Sequence, residues 1–382
     1  MTGRPALVIF LGGLGGSQAE GMVGTARWAA SLDSIEAALS TEAFARAILV
    51  VDQLSLPVDI LGVTVDADTG DFHFGRRLAG VLRRQGVASA VYMGGGSLPL
   101  FGPADFQGVA ATLARGLAVT NNAYSSDLVA FPVDGRTIAV AETVERDNSL
   151  SRALAERAGL KVEALPRSMT TQMDIDGPSD LAVLSLTGWG GCRLQTYLVQ
   201  LGLDTGPYRR VLPLFVDPAA QILVAGRVGS HSWRYLERET ACRVRLFAEE
   251  RGMEAEGRAR DGAVRSLLGF HLQAVGVPRF FEAMSQLGDA AFIDTRVLLG
   301  HMRVDAGPED RFLSDLGRWR EIRDPFLREF TKAASETGVP VILGGHSLMS
   351  GGLMALNEFA WQEREAKRLV RTDPLANGPS FV

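Results

Sequence analysis

Leu7-Val8-Ile9-Phe10-Leu11 runs directly into Gly12-Gly13-Leu14-Gly15-Gly16-Ser17, with Gly21 and Gly24 beyond. Consecutive apolar residues leave no polar face, so the run reads as a strand of a parallel sheet covered on both sides. The glycines require a tight turn whose backbone N–H groups can approach an anion, and the helix expected over 25–39 adds the positive end of its dipole. Phosphate is the guest that such a turn suits. The run does not match GxGxxG, because from Gly13 the sixth position is Gln18, and it lacks the lysine of GxxxxGK[ST]. A dinucleotide fingerprint and a P-loop are therefore disfavoured, and a turn made of glycine for packing alone is the competing structural reading.

Outward from this stretch the same pattern repeats. Strands are predicted over 6–11, 47–51, 88–93, 128–131 and 138–141, with helices over 25–39, 74–85, 104–115 and 149–158, the last capped by Asn148 or Ser149. This alternation implies an α/β fold, a mostly parallel doubly wound sheet with helices on both faces. In the second half, strands over 222–225, 244–248, 290–293 and 340–343 alternate with helices over 232–240, 264–273, 278–287 and 311–335, and Pro278 suits a first helical turn. A second, smaller α/β domain rich in helix is expected, since 382 residues exceed one ordinary domain. Thr187, Gly188, Trp189, Gly190 and Gly191 interrupt the periodicity and place the division between 1–187 and 188–382. The strand–glycine–helix order of 8–16 is echoed over 341–352.

Composition narrows the partners. Apolar residues make up 46% and charged residues 22%, with mean hydropathy +0.09, as in a folded globular chain. A net charge of −5 and a pI near 5.7 give no electrostatic footprint for nucleic acid or an anionic membrane, so a small molecule is the expected partner. No apolar run approaches the roughly 20 residues of a membrane span. The N-terminal run reads as a first strand, not a signal peptide, and a cytoplasmic location is expected. Cys192 and Cys242 form neither a disulfide framework nor a zinc motif. Lys161, Lys332 and Lys367 are the only lysines, so any phosphate-binding cation in the first half must be an arginine.

Two further segments carry chemistry. Tyr92-Met93-Gly94-Gly95-Gly96-Ser97-Leu98-Pro99-Leu100-Phe101 puts a second glycine cluster after a strand, and two such loops at one sheet edge form a crevice. Met173-Asp174-Ile175-Asp176-Gly177-Pro178-Ser179-Asp180-Leu181 puts the carboxylates of Asp174 and Asp176 on the same side of an extended segment, spaced to share a divalent cation or to fix a strand end. Pro178 and Asp180 have a structural explanation as the first turn of a helix.

In order, the first glycine loop, GGGSLPLFGPADF, NNAYSSDLVAF, RDNSLSRALAE and MDIDGPSDL resemble the nucleotide-diphospho-sugar transferase superfamily. The likeness is to the molybdenum-cofactor cytidylyl/guanylyltransferases and the 2-phospholactate guanylyltransferases in particular. It covers about residues 5–185, and MDIDGPSDL is its most distinctive part. The resemblance implies a nucleotidyltransferase-like domain that moves an NMP from an NTP to a phosphate-bearing or sugar-like acceptor, with Mg²⁺ and release of pyrophosphate. Carried over, Leu11, Gly12, Gly13, Gly15 and Gly16 contact the nucleotide, joined by Gly95 and Gly96 of the second loop. Arg27 becomes the triphosphate cation, Asp174 and Asp176 the metal ligands, and Arg27, Ser97 and Asp176 the catalytic set. Two positions depart from the pattern. Ser97 stands where the family has a metal-binding Asp, and a hydroxyl needs help there from Asp174, Asp176, Asp127 or Asp52; the family's loop lysine is missing as well.

The second half resembles no family. It holds His231, His271, His301 and His346, leaving only His73 in the first half. Asp294, Arg296 and His346 each follow a predicted strand and form a second candidate site at a sheet edge, unless they satisfy local backbone groups. Glu249 and Glu250 are either an acid pair there or a solvated loop. Gly345-His346-Ser347-Leu348-Met349-Ser350-Gly351 fails as a nucleophile elbow, because its second glycine is displaced and no histidine follows Ser347. Three readings follow: a nucleotidyltransferase whose second domain shapes the acceptor site or a homo-oligomer contact; a catalytically degenerate protein that binds a nucleotide or nucleotide-sugar as sensor or scaffold; or chemistry located in the second domain.

Overall fold

The computed structural model describes residues 3–12, 15–52, 58–67, 70–254 and 256–372. The chain divides into two compact units, Met1–Leu184 with Gly188–Gly202, and Ser185–Thr187 with Leu203–Val382. Both are α/β, as the alternation of the sequence requires.

In order, the first unit contains β1 (Ala6–Leu11), α1 (Gln18–Ser40), β2 (Arg46–Val51), β3 (Val63–Ala67), α2 (Phe74–Arg84), β4 (Ser89–Gly94) and α3 (Pro103–Ala114). Next come β5 (Ala118–Thr120), β6 (Leu128–Pro132), α4 (Gly135–Glu142), α5 (Leu150–Ala158), β7 (Val162–Ala164), α6 (Met169–Gln172), α7 (Pro178–Thr187) and α8 (Cys192–Leu201). The strands form one sheet in the order β3-β2-β1-β4-β6-β5-β7. β1 is parallel to β2 and β4, while β6 runs antiparallel to β4 and β5. Period-2 alternation sends Leu7, Ile9 and Leu11 into one core with Leu49, Val51 and Met93, and Ala6 and Val8 into the other with Ile48, Val50 and Tyr92. Burial on both faces is why β1 reads as an unbroken apolar run.

The second unit holds α9 (Gly206–Phe215), β8 (Gln221–Gly226), α10 (Ser230–Glu239), β9 (Arg243–Ala248), α11 (Leu267–Leu287) and β10 (Ala290–Asp294). It continues with α12 (Thr295–Met302), α13 (Pro308–Asp315), α14 (Pro325–Glu336), β11 (Val341–Gly344), a π-helical turn at Leu348–Gly352, and α15 (Leu353–Thr372). Its sheet is parallel throughout, in the order β11-β10-β8-β9.

Several expectations need correction. Residues 138–141, expected as a strand, lie in α4. Asp134 accepts from the backbone N–H groups of Arg136 and Thr137 at 2.9 and 2.8 Å, and this cap starts a helix that a short apolar run cannot distinguish from a strand. The single helix expected over 311–335 is two, α13 and α14, parted at Gly317 (φ 69°) and restarted by Asp324 and Pro325. The helices expected over 264–273 and 278–287 meet as α11, whose backbone breaks at Gly276 (φ 77°) just before Pro278. β3, β5 and β7 carry too little apolar pattern to stand out in the sequence. Ser149 precedes α5 but makes no side-chain cap.

Helix α4 fixes its neighbour. The Gly75 N–H donates to Val144 O at 2.9 Å, and a Cβ built on Gly75 would lie 2.1 Å from Ala141 O and 2.6 Å from Val144 O. Since both obstacles are backbone, Gly75→Ala is expected to push α2 from α4 and lower stability by about 1–3 kcal/mol in urea unfolding. Wild-type stability in that variant would contradict the α2–α4 packing.

Candidate functional site

In the first sheet the strand order reverses between β1 and β4, and the crevice of such a sheet opens at the carboxyl ends of those two strands. The two glycine loops lie there. Gly13 lies outside the described residues. Gly12 and Gly16 are exposed and an added Cβ would meet nothing within 4 Å, so their backbone is open to a ligand. Gly15 has φ 85° and packs on Glu20, so its glycine has a packing reason. The N-terminus of α1 is capped from within, because Glu20 N–H donates to Ser17 Oγ at 3.2 Å and Ser17 N–H to Glu20 Oε2 at 3.1 Å. The open backbone at Gly12 and Gly16 therefore lies ahead of a helix end that is already capped. Leu11 is buried in the core.

The second loop is shaped by close packing. Gly95 N–H donates to Phe10 O at 2.7 Å, and a Cβ on Gly95 would lie 2.3 Å from Leu11 Cδ1. Gly96 (φ 84°) would set its Cβ 2.5 Å from Arg27 Cγ. These two glycines let the loop sit against β1 and α1, which accounts for them without a ligand.

The MDIDGPSDL segment docks on this loop. Ser97 and Asp174 form an antiparallel bridge, and Ile175 N–H donates to Gly96 O at 3.2 Å. Arg27 Nε donates to Ile175 O at 2.7 Å, so the expected triphosphate cation is first a tie between α1 and the docked segment. Asp180 Oδ2 accepts from the N–H groups of Asp176 and Gly177 at 2.9 and 2.8 Å, holding Asp176 at the start of α7. Ser97, Asp174 and Asp176 thus meet at one edge.

Asn121, Tyr92 and Asp147, whose part in the site the sequence left unread, complete it with Asp127. Buried Asn121 accepts with Oδ1 from the N–H groups of Asp127 and Leu128 at 2.9 and 3.1 Å and donates from Nδ2 to Asp127 Oδ2 at 2.9 Å. It aims Asp127 at the start of β6, beside the end of β4. Tyr92 Oη donates to Asp147 Oδ2 at 3.0 Å. Both acids stand in the quoted NNAYSSDLVAF and RDNSLSRALAE segments, where Asn121 is given no role of its own.

The carboxylates repel one another. Burial raises Asp127 to about 7, opposed by the Asn121 hydrogen bond and reinforced by Asp176 and Asp147. Burial also holds Asp174 well above its ordinary value, with Asp176 and Asp127 adding to the rise and Arg27 opposing it. Among the described residues no three or more His, Cys, Asp and Glu are arranged to hold a metal ion by themselves. The donor set instead fits a hard cation held by one or two carboxylates and completed by phosphate and water oxygens.

In the second unit, Asp294 is buried and bonded to Arg227, whose Nε and Nη2 donate to Oδ2 and Oδ1 at 2.6 and 3.1 Å. Burial alone would raise the Asp294 carboxyl, but Arg227, with Arg296 and His346, brings it below the usual range. Asp294 also caps α12 through Arg296 N–H at 3.2 Å. The Arg296 guanidinium pairs with Asp315 at 2.5 and 2.6 Å. His346 is exposed, and its charge acts on Asp294. Asp294, Arg296 and His346 therefore do meet at the edge, though both charged residues also serve local structure. Glu249 and Glu250 serve α11 instead: Glu249 accepts from Ser266 Oγ and Leu267 N–H at 2.5 and 2.6 Å, and Glu250 from Arg265 N–H at 3.0 Å. Among the described residues no helix is long and apolar enough to cross a membrane.

Compared with protein-family models and with curated proteins, the sequence matches none.

The Asp127 shift has a pH signature. A folded-state pKa raised above the unfolded value contributes stability that is full below about pH 4 and is lost as pH rises to about 7. Asp127→Asn can keep the Asn121 hydrogen bond without the charge. Its urea stability is expected to exceed wild type by about 2 kcal/mol or more at pH 8 and to converge with it near pH 4. Parallel pH profiles for the two proteins would refute the buried, charge-crowded Asp127.

Proposed function

We propose that the first unit is a nucleotidyltransferase domain, which binds an NTP with Mg²⁺ at the carboxyl edge of β1 and β4 and transfers its NMP to a phosphate-bearing or sugar-like acceptor. One observation carries this reading: Asp127, Asp174 and Asp176 crowd one edge, two of them with raised pKa values, beside the open backbone of Gly12 and Gly16. Crowded, half-buried carboxylates whose pKa values rise through one another's charge favour a cation between them.

In the proposed reaction an acceptor oxygen attacks the α-phosphorus, the bond to the bridging oxygen of the β-phosphate breaks, and pyrophosphate leaves with the electron pair. A bound Mg²⁺ would neutralise the charge developing on the attacking and leaving oxygens. Asp174 and Asp176 would hold it, with Asp127 nearby. The backbone of residues 12 and 16 would receive phosphate oxygens, and Arg27 would stabilise the docked aspartate segment beside them. The resemblance of residues 5–185 to the nucleotide-diphospho-sugar transferases supports the same reaction class.

A second reading, a nucleotide-binding protein without turnover, is favoured by Ser97, a neutral and buried hydroxyl at the position where the resemblance expects a carboxylate. Pyrophosphate release separates the two. The four NTPs are each incubated with Mg²⁺ or Mn²⁺ and a panel of phosphate-bearing acceptors, using wild type and Asp176→Ala. The enzyme reading expects release with one NTP and a fall of about 10²-fold or more in the variant. Tight nucleotide binding with no release from any combination would leave the binding-only reading; no binding at all would remove both.

A further inference from the structure

The second sheet has its own reversal point. β8 lies between β9 and β10, so the chain leaves β8 to one side, toward β9, and returns past it to β10, which opens a crevice at the carboxyl ends of β8 and β10. Glycine lets the crevice walls close up. A Cβ on Gly226 (φ 137°) would lie 2.2 Å from Asp294 Cβ, so bare backbone brings the end of β8 against the end of β10.

Two buried ion pairs line this edge. Arg227 is bonded to Asp294, and Arg296 to Asp315 and, at 3.0 Å, to Gly344 O. In each pair the carboxylate is fully buried and the arginine nearly so, and bidentate geometry fixes the guanidinium planes. These charges cancel in pairs, and a third arginine is left over.

Arg311, on α13 four residues before Asp315, has a buried Nε with no hydrogen-bond partner, and its guanidinium joins no ion pair among the described residues. Burial lowers its affinity for the proton, and Arg296 adds repulsion; Asp315, already bonded to Arg296, opposes this, as do the exposed Glu254 and Asp305. This edge thus holds three arginines, Arg311 half-buried, against two buried aspartates. A desolvated cation without a carboxylate of its own is costly until an anion reaches it.

Two features of the same edge suit an anion. Gly229, the N-cap of α10, offers no side-chain cap to the first N–H groups of that helix, and a Cβ there would lie 3.7 Å from Arg251 Cζ, so a fourth guanidinium sits over the loop. β11, whose last residue supplies Gly344 O, leads into a π-helical turn, a geometry often found at functional sites.

We propose that the carboxyl edge of β8 and β10 binds the phosphate group of a small molecule, with Arg311 as its principal cation and Arg251 and the start of α10 completing the cradle. The Asp-anchored Arg227 and Arg296 form its rigid floor. A phosphate dianion matches a surplus cation together with an exposed arginine and a helix start that carries no side-chain cap, whereas a nucleic acid is opposed by the net charge of −5. This site is independent of the first unit and of the activity proposed for it.

The test reads Arg311 directly. Arginine Nε–H resonances of the ¹⁵N-labelled full chain are recorded during titration with inorganic phosphate at constant ionic strength, and the Arg311 signal is identified by its absence in Arg311→Lys. The proposal expects that signal to shift saturably with phosphate and to respond far less to succinate. Calorimetry of Arg311→Met is expected to show phosphate binding at this site weakened about tenfold or more. The melting temperature of the unliganded variant should equal or exceed that of wild type, because an unpaired buried charge is gone. An Arg311 signal that stays fixed while phosphate saturates elsewhere would overturn the site, as would an equal response to succinate or undiminished binding by Arg311→Met.

Discussion

The first unit depends on the docking of the 173–177 segment against the loop after β4. Three contacts hold it: the Ser97–Asp174 bridge, the Ile175 N–H on Gly96 O and the Arg27 Nε on Ile175 O. They bring a segment 148 residues downstream against the first helix. Each engages a backbone group, so the docking is held by main-chain hydrogen bonds as well as by packing. Its consequence is electrostatic. Asp174 and Asp176 are carried into a region already holding Asp127 and Asp147, where burial and like charge raise the pKa values of Asp127 and Asp174.

The glycines divide by physical role. Gly15, Gly95 and Gly96 are required by packing, since a side chain at each would run into Glu20, Leu11 or Arg27. Gly12 and Gly16 face open space, where an added methyl group would cost nothing in contacts. A position that needs no glycine for packing yet has one on the rim of a crevice is where backbone approach to a ligand is least obstructed. In the proposed reading the acidic edge would receive the cation and the open loop the anion that travels with it.

The second unit solves a related problem with opposite charge. Its parallel sheet also reverses between two strands, but arginines held by aspartates line that edge, and one arginine exceeds the carboxylates available to it. Desolvated charge of one sign marks each edge, negative in the first sheet and positive in the second, and in both the fold sets the sign by bringing together residues distant in sequence.

The sequence by itself determined the parallel α/β character of both units, because strands buried on two faces must be written as unbroken apolar runs such as Leu7 to Leu11. It also determined that Ser97, Asp174 and Asp176 follow strand ends or extended turns. It could not decide between helix and strand for residues 138–141, since four apolar residues fit either period and the Asp134 cap settles the matter through local hydrogen bonds. Nor could it expose Asn121 as the residue that aims Asp127, or Arg311 as the surplus cation. Those roles exist only once burial removes water and leaves each polar group to the partners that the tertiary structure supplies.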